Sequence, residues 1–253
     1  MNLNHENYFS GEAMSAYMSY SQFKKFEECE AAAVANIVED KACFTEGHFF
    51  EALLNDAGSA FVAQHPEMCT KKGALYANFE RIVASAEAIS RQPVLMSVFD
   101  RCEKQVILTG EIAGVPFKGC IDLFDRETLN AYDTKCVRDF KPIWSEAERS
   151  RLSWYFAWGY QYQAAIYREL IRQNLGFVGK MHLIAATKEP VPDVGFYQFD
   201  DEILDGALSI IEAYAPKYQA IKGGKVEPTR CECCDYCRST RFIKEPVIIE
   251  EFK

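Results

Sequence analysis

No run in this 253-residue chain approaches the roughly 18 consecutive apolar residues that a membrane-spanning helix needs. The first residues, Met1-Asn2-Leu3-Asn4-His5-Glu6, lack the basic and then apolar pattern of a secretory signal. A soluble, cytoplasmic protein with no membrane partner is therefore expected. Internal repeats and low-complexity segments are missing too. Positive charge is scarce: 28 Lys and Arg stand against 37 Asp and Glu, a formal net charge of −9. That argues against a protein that simply coats nucleic acid, because non-specific affinity comes mostly from neutralising phosphates. A local basic channel or bound cations can still reverse the potential at one site.

Apolar residues and cysteine are plentiful. Hydrophobic residues make up 49% of the chain, ample for one well-packed core. There are ten cysteines. Without an export signal they are not expected to form a disulfide framework, since the cytosol keeps thiols reduced. Six are scattered singly (Cys29, Cys43, Cys69, Cys102, Cys120, Cys136). Four crowd into Cys231-Glu232-Cys233-Cys234-Asp235-Tyr236-Cys237.

Apolar spacing predicts a helix over 19–39, opening at Ser19 or Ser21 and carrying Phe23, Phe26, Ala33, Val34 and Ile37. A second helix starts near Glu46-Gly47-His48, and a third covers 74–90, with Pro93 breaking the chain soon after. From Gln105 the pattern turns to β-type runs at 106–109, 116–124 and 129–134, joined by turns at Gly114 and at Asp125-Arg126-Glu127. These suggest an antiparallel meander. A long aromatic-rich helix at about 145–174 follows, then strands at 181–187 and 194–199 and a helix at about 201–221. Gly223-Gly224 and Pro228 mark a break before the cysteine cluster.

Gly119-Cys120-Ile121-Asp122 and Asp133-Thr134-Lys135 fall in adjacent predicted strands. If those strands pair across their short turn, Asp122 and Asp133 lie close together. Asp133 and Lys135 share a face, and Thr134 points to the other. Two converging carboxylates suit a hard divalent cation, and a neighbouring lysine suits a metal-activated water. A single Asp-x-Lys triplet is commonly no more than a pair of solvent-facing edge-strand charges. Three further features raise the case. His48 and Glu51 share one face of an early helix. Gln163 and Tyr167 stand at i, i+4 on the helix after the triplet. Glu111, at the end of the preceding strand, offers another carboxylate.

In this order the pieces resemble the PD-(D/E)xK nuclease superfamily, whose core runs helix, three strands, helix, strand. Within it the likeness is to RecB-like nucleases, especially the phage and prophage RecE-type exonuclease domain. Ser19-Tyr20-Ser21-Gln22-Phe23 leading to Cys29 is similar to the family's opening helix, and Gly47-His48 with Glu51 to its histidine-bearing helix. Gly119 to Asp122 matches the Gly-x-Ile-Asp strand, Asp133-Thr134-Lys135 the (D/E)xK element, and Gln163 to Tyr167 the Gln-x-x-x-Tyr helix. No proline precedes Asp122, a departure common in this degenerate family. The resemblance implies one α/β domain over 1–253, with a restriction-endonuclease-like mixed sheet flanked by helices. Its core would span about 19–200, with a cysteine-rich segment at 228–241.

The same resemblance implies Mg²⁺ or Mn²⁺ on Asp122, Asp133, the Thr134 carbonyl and His48. Lys135 would position the attacking water, and Gln163 and Tyr167 would support the lysine or the scissile strand. The implied activity is an exodeoxyribonuclease resecting linear duplex ends for recombination or repair. A homo-oligomeric ring and a single-strand-annealing recombinase are the partners such enzymes have. Some RecB-like nucleases also close an iron–sulfur cluster with one N-terminal and three C-terminal cysteines. Cys29 with Cys231, Cys234 and Cys237 would match that arrangement, and a zinc site is the alternative.

Trp144, Trp154, Tyr155, Phe156, Trp158, Tyr160 and Tyr162 crowd one region, and most are expected to be core rather than base-stacking platforms. Arg138, Lys141, Arg149 and Arg151 could line a DNA path, but Glu146 and Glu148 interleave with them. Lys24 and Lys25 are equally ambiguous. Two other readings stay open: a CRISPR-adaptation or repair nuclease with an iron–sulfur cluster, and a non-enzymatic, metal-stapled interaction module.

Overall fold

A computed structural model of the chain describes residues 2–35, 41–146, 148–177, 179–243, 245–246 and 248, with backbone alone for 41–44. Its centre is a five-stranded mixed sheet in the order β1-β2-β3-β6-β7. These strands are β1 (Glu103–Ile112), β2 (Val115–Phe124), β3 (Ala131–Val137), β6 (Met181–Thr187) and β7 (Val194–Gln198). Between β3 and β6 lie a small hairpin, β4 (Ile143–Ser145) with β5 (Ser150–Leu152), the short α8 (Trp154–Ala157) and the long α9 (Tyr160–Leu175). Ahead of the sheet come α1 (Gly11–Ala16), α2 (Tyr20–Glu28), α3 (Glu30–Val34), α4 (Lys41–Leu54), α5 (Gly58–Gln64), α6 (Ala77–Ser90) and α7 (Pro93–Arg101). After it come α10 (Asp201–Lys222) and α11 (Asp235–Ser239). The restriction-endonuclease-like α/β expectation holds. Among the described residues, no helix is long and apolar enough to cross a membrane.

Each face of the sheet has its own core. Along β6, Leu183 and Ala185 pack with the core of α2, α9 and α10, whereas Ile184 and Ala186 pack with that of α4, α6 and α7. This period-two division covers both faces of a strand with no polar side. Each large side chain fully buried this way contributes roughly 1.5–3 kcal/mol. Ala113 (φ 49°) and Gly114 (φ 76°) form the two-residue turn joining β1 and β2, with the positive φ pair that such hairpins require. Asp125 closes the next turn by accepting from the Glu127 and Thr128 N–H groups, and Arg101 holds it from α7.

Several sequence expectations need correction. The helix expected at 19–39 breaks at Cys29 into α2 and α3, and Ile37 lies outside the described residues. Pro93 begins a helix rather than ending one, at the first position, where its missing N–H costs nothing. The helix expected over 145–174 is half right. Ser150-Arg151-Leu152 pairs with 143–145, and Gly159 (φ 75°) interrupts the chain before α9 begins. The antiparallel meander expected of the three runs is found as β1–β2–β3, and β6 then adds parallel to β3.

Candidate active site

The site starts where β2 and β3 part. They pair only at Leu123–Tyr132 and Phe124–Ala131, then diverge. Asp122 and Asp133 are the next residues on each strand, at the mouth of the fork. The Asp122 Oδ2 takes over from the lost ladder. It accepts from the Thr134 backbone N–H at 2.8 Å and from the Thr134 hydroxyl at 2.9 Å. The Thr134 side chain is therefore tied to the site rather than turned away from it. A strand residue sends its N–H and C=O to the same side. The Thr134 carbonyl consequently faces the same gap.

Asp133 is held from two sides. Its Oδ1 accepts from Gln163 Nε2 at 2.8 Å, and its Oδ2 pairs with Lys135 Nζ at 2.5 Å. Gln163 also donates to the Tyr167 hydroxyl at 2.9 Å, and that hydroxyl donates to the Cys120 carbonyl at 2.8 Å. Thus α9 anchors Asp133 and the backbone of β2. Gln163 and Tyr167 do not support the lysine directly. Gly119 makes this approach feasible, because a Cβ there would lie 2.7 Å from the Tyr167 ring. The Tyr160 ring centroid lies 5.2 Å from the Lys135 ammonium.

Charge accumulates accordingly. Burial, with Asp122 adding to it against the pull of Lys135, raises Asp133 to about 7. Burial and the nearby Asp122 also raise Glu51 to about 7. Burial opposes the charge on Lys135, but Asp133 and Asp122 outweigh it and hold the ammonium above its ordinary range. Partial desolvation, then His65, depresses His48.

His48, Glu51 and Asp122 line one open cleft of about 660 Å³, together with Gln163 and Tyr167. Tyr20, Lys24 and Lys25 of α2 form part of its wall. Asp133 and Lys135 sit behind that lining, with side chains 14% and 21% exposed. The acids do not form a closed cage. Among the described residues, only the cysteine group brings three or more ligand atoms within 4.8 Å of one another.

Other expected residues fall elsewhere. Glu111 is six positions along β1 from Gln105, the residue opposite Asp122, so it lies about 20 Å from the fork. Its backbone bonds Gln173 there. Arg138, Lys141, Arg149 and Arg151 are exposed at the end of β3 and around the β4–β5 hairpin, outside the cleft lining. Trp154 is buried, as expected of core, but Trp144 and Trp158 are 52% and 47% exposed.

Gln105 is the residue that sequence reading missed. It interrupts the β1–β2 ladder opposite Asp122 with φ 55° and contacts Asp122 Oδ1 at 3.5 Å. A left-handed glutamine inside a strand pattern carries no sequence signal. Strain of this kind gathers at functional positions.

At the far end of the chain, Cys29, Cys231, Cys234 and Cys237 come together as the family resemblance implied, while Cys233 is exposed and outside the group. Backbone N–H groups of Cys233 and Cys234 lower the Cys231 thiol to about 6.

The family model of a PDDEXK-like domain of unknown function (DUF3799) matches residues 19–240. The chain belongs to this PDDEXK-like family. A crystal structure of a candidate exonuclease from Eubacterium rectale is 31% identical to this family member, covering 98% of this chain and 97% of that one, with a TM-score of 0.88. A second solved structure, SSO0001, is 15% identical over 85% of this chain and 90% of that one, and its TM-score of 0.35 carries no argument. No curated protein matches significantly. The family's name fits the strand fork, where Asp122 and Asp133-Thr134-Lys135 supply the acidic and (D/E)xK elements.

Proposed function

We propose that this protein is a metal-dependent nuclease, and more narrowly an exodeoxyribonuclease acting at the ends of linear duplex DNA. One observation carries the reading: Asp122, Asp133 and Lys135 meet at a strand fork beside an open cleft, in a PDDEXK-like chain. Apart from the His48 imidazole the candidate donors are hard oxygens, and burial with nearby like charge has raised two of the acids. Both are conditions that a divalent cation relieves. Asp122 Oδ1, Asp133 and the Thr134 carbonyl would hold Mg²⁺ or Mn²⁺, with Glu51 or His48 reaching it from α4. The cleft leaves room for the waters that such ions keep.

When bound, the ion would supply a lowered pKa for an attacking water and neutralise charge on the phosphoryl oxygens. The chain's own groups do the rest. Gln163 fixes the rotamer of Asp133, and Tyr167 fixes the strand carrying Asp122. Lys135, enclosed by Tyr160 and permanently charged, presents an ammonium to the phosphate as negative charge develops. Lys24 and Lys25 on the cleft wall offer contacts to the backbone, which lets an acidic protein hold a polyanion locally.

The exonuclease reading draws on the 31% identity to the candidate exonuclease from Eubacterium rectale. End-labelled linear and closed circular duplexes, incubated with Mg²⁺ or Mn²⁺, separate the outcomes. Digestion of the linear form alone supports an exonuclease. Cleavage of the circle redirects the reading to an endonuclease, and no cleavage of either form overturns it.

A further inference from the structure

Away from the cleft, four sulfur atoms occupy one small volume. The Sγ atoms of Cys29, Cys231, Cys234 and Cys237 all lie within 4.8 Å of one another. Cys29 and Cys237 are separated by 3.6 Å and Cys231 and Cys237 by 3.9 Å. Cys29 and Cys237 are buried and no disulfide joins any of the four.

Four thiolates in tetrahedral array around one zinc ion, with Zn–S bonds of about 2.3 Å, stand about 3.8 Å apart. The observed separations fall on either side of that value. On a four-iron cube, each thiolate binds a different corner iron, so the sulfurs stand farther apart than those sharing one ion. The order of donors, one N-terminal and three C-terminal, is the arrangement of cluster-bearing RecB-like nucleases. The sulfur spacing does not fit that cluster. We propose that Cys29, Cys231, Cys234 and Cys237 hold a single tetrahedral divalent ion, zinc by its preference for four thiolates, in place of an iron–sulfur cluster.

The surroundings agree. The Cys234 N–H donates to Cys231 Sγ at 3.3 Å, and the Cys237 N–H donates to Cys234 Sγ at 3.4 Å. Such backbone donors stabilise thiolates and orient them, as groups around metal ligands commonly do. Among the described residues beyond Gly224, the regular structure is the five-residue α11, and the local core consists of Cys29, Ala31 and Cys237 with a few half-buried neighbours. So small a core needs a staple. The Thr229 carbonyl accepts from the Ala31 N–H at 3.1 Å, and the Thr229 N–H donates to Glu30 at 2.7 Å, bringing the tail against α3. The ion would lock this junction directly behind α2, the helix that walls the cleft.

The test measures metal and acid-labile sulfide in the full-length protein, produced with both iron and zinc supplied. The expected result is a colourless protein with one zinc per chain and no sulfide. A mercurial that blocks thiols should release that zinc to a chelating dye, and cobalt replacement should give a tetrahedral thiolate spectrum. Cys237→Ser should lose the zinc and become protease-sensitive after residue 224, whereas Cys233→Ser should keep the zinc. The wild-type measurement stands even if Cys237→Ser fails to fold. Iron with matching sulfide and a brown chromophore would overturn the proposal. So would a metal-free protein whose four thiols all alkylate or oxidise to disulfides.

Discussion

Lys135 Nζ lies 2.5 Å from Asp133 Oδ2 on the same face of β3, so the acidic pair is already partly neutralised by a cation of its own chain. A divalent ion bound at Asp133 would compete with that ammonium for the carboxylate, leaving Lys135 to face the substrate phosphate. Lys135→Ala should therefore lower the cleavage rate about 10²–10³-fold, the loss expected for one preorganised charge-stabilising group. Its Mn²⁺ affinity, measured by calorimetry, should equal or exceed that of the wild type. A tenfold weaker affinity would mean that the lysine assembles the acids rather than competing for them.

Acidity of the site gives a pH signature. Asp133 and Glu51 are each raised to about 7, so the metal-free fold holds protons that the unfolded chain has released between pH 4 and 7. Stability without metal should fall as pH rises through that window, the reverse of the usual carboxylate behaviour. Melting in a chelator at pH 5.5 and 8 checks the sign. Asp133→Asn, neutral throughout, should stabilise the metal-free protein at pH 8 by about 1 kcal/mol, or 2–4 °C. With Mg²⁺ present, wild-type activity should climb through pH 7 as the ligands deprotonate.

Contact between Gly119 and the Tyr167 ring is a steric requirement. Gly119→Ala places its methyl 2.7 Å from that ring and should cost about 1–3 kcal/mol by pushing α9 from the sheet. Tyr167→Phe keeps the packing but orphans the Cys120 carbonyl, for about 1 kcal/mol. Chemical denaturation measures both. Equal costs for the two would indicate that the hydroxyl, and not the ring, sets the spacing.

Gln105 should trade stability for activity. Gln105→Gly relieves a left-handed backbone worth about 1–2 kcal/mol in a residue with a Cβ, and removes the side chain beside Asp122. The expected outcome is a higher melting temperature with slower cleavage. A variant that is both less stable and fully active would assign Gln105 no part in the site.

The parts of this protein legible from sequence are those where chemistry and periodicity coincide. Asp122, Asp133, Lys135, Gln163 and Tyr167 sit on strands and a helix with clear apolar spacing, so their faces followed from the pattern. Cys29 was readable as a partner of the tail only through family resemblance, because nothing local points across some 200 residues. Glu111 was misplaced because one strand carries several polar residues, and only the register shows which one reaches the fork. The β4–β5 hairpin was hidden because Ser145 to Leu152 is a charged stretch whose Glu, Ala and Arg residues suit a helix, so it read as the start of the long helix. Only the register, with Ile143 opposite Leu152 and Ser145 opposite Ser150, shows the pairing.

The central claim is that the strand-fork acids carry metal-dependent phosphodiester hydrolysis. The most direct measurement is the initial cleavage rate of linear duplex DNA by wild type and Asp133→Asn, each with Mg²⁺ and with chelator, after melting curves show both folded. The account predicts cleavage only by the wild type with Mg²⁺. Equal rates in Asp133→Asn, or cleavage that persists in chelator, would contradict it.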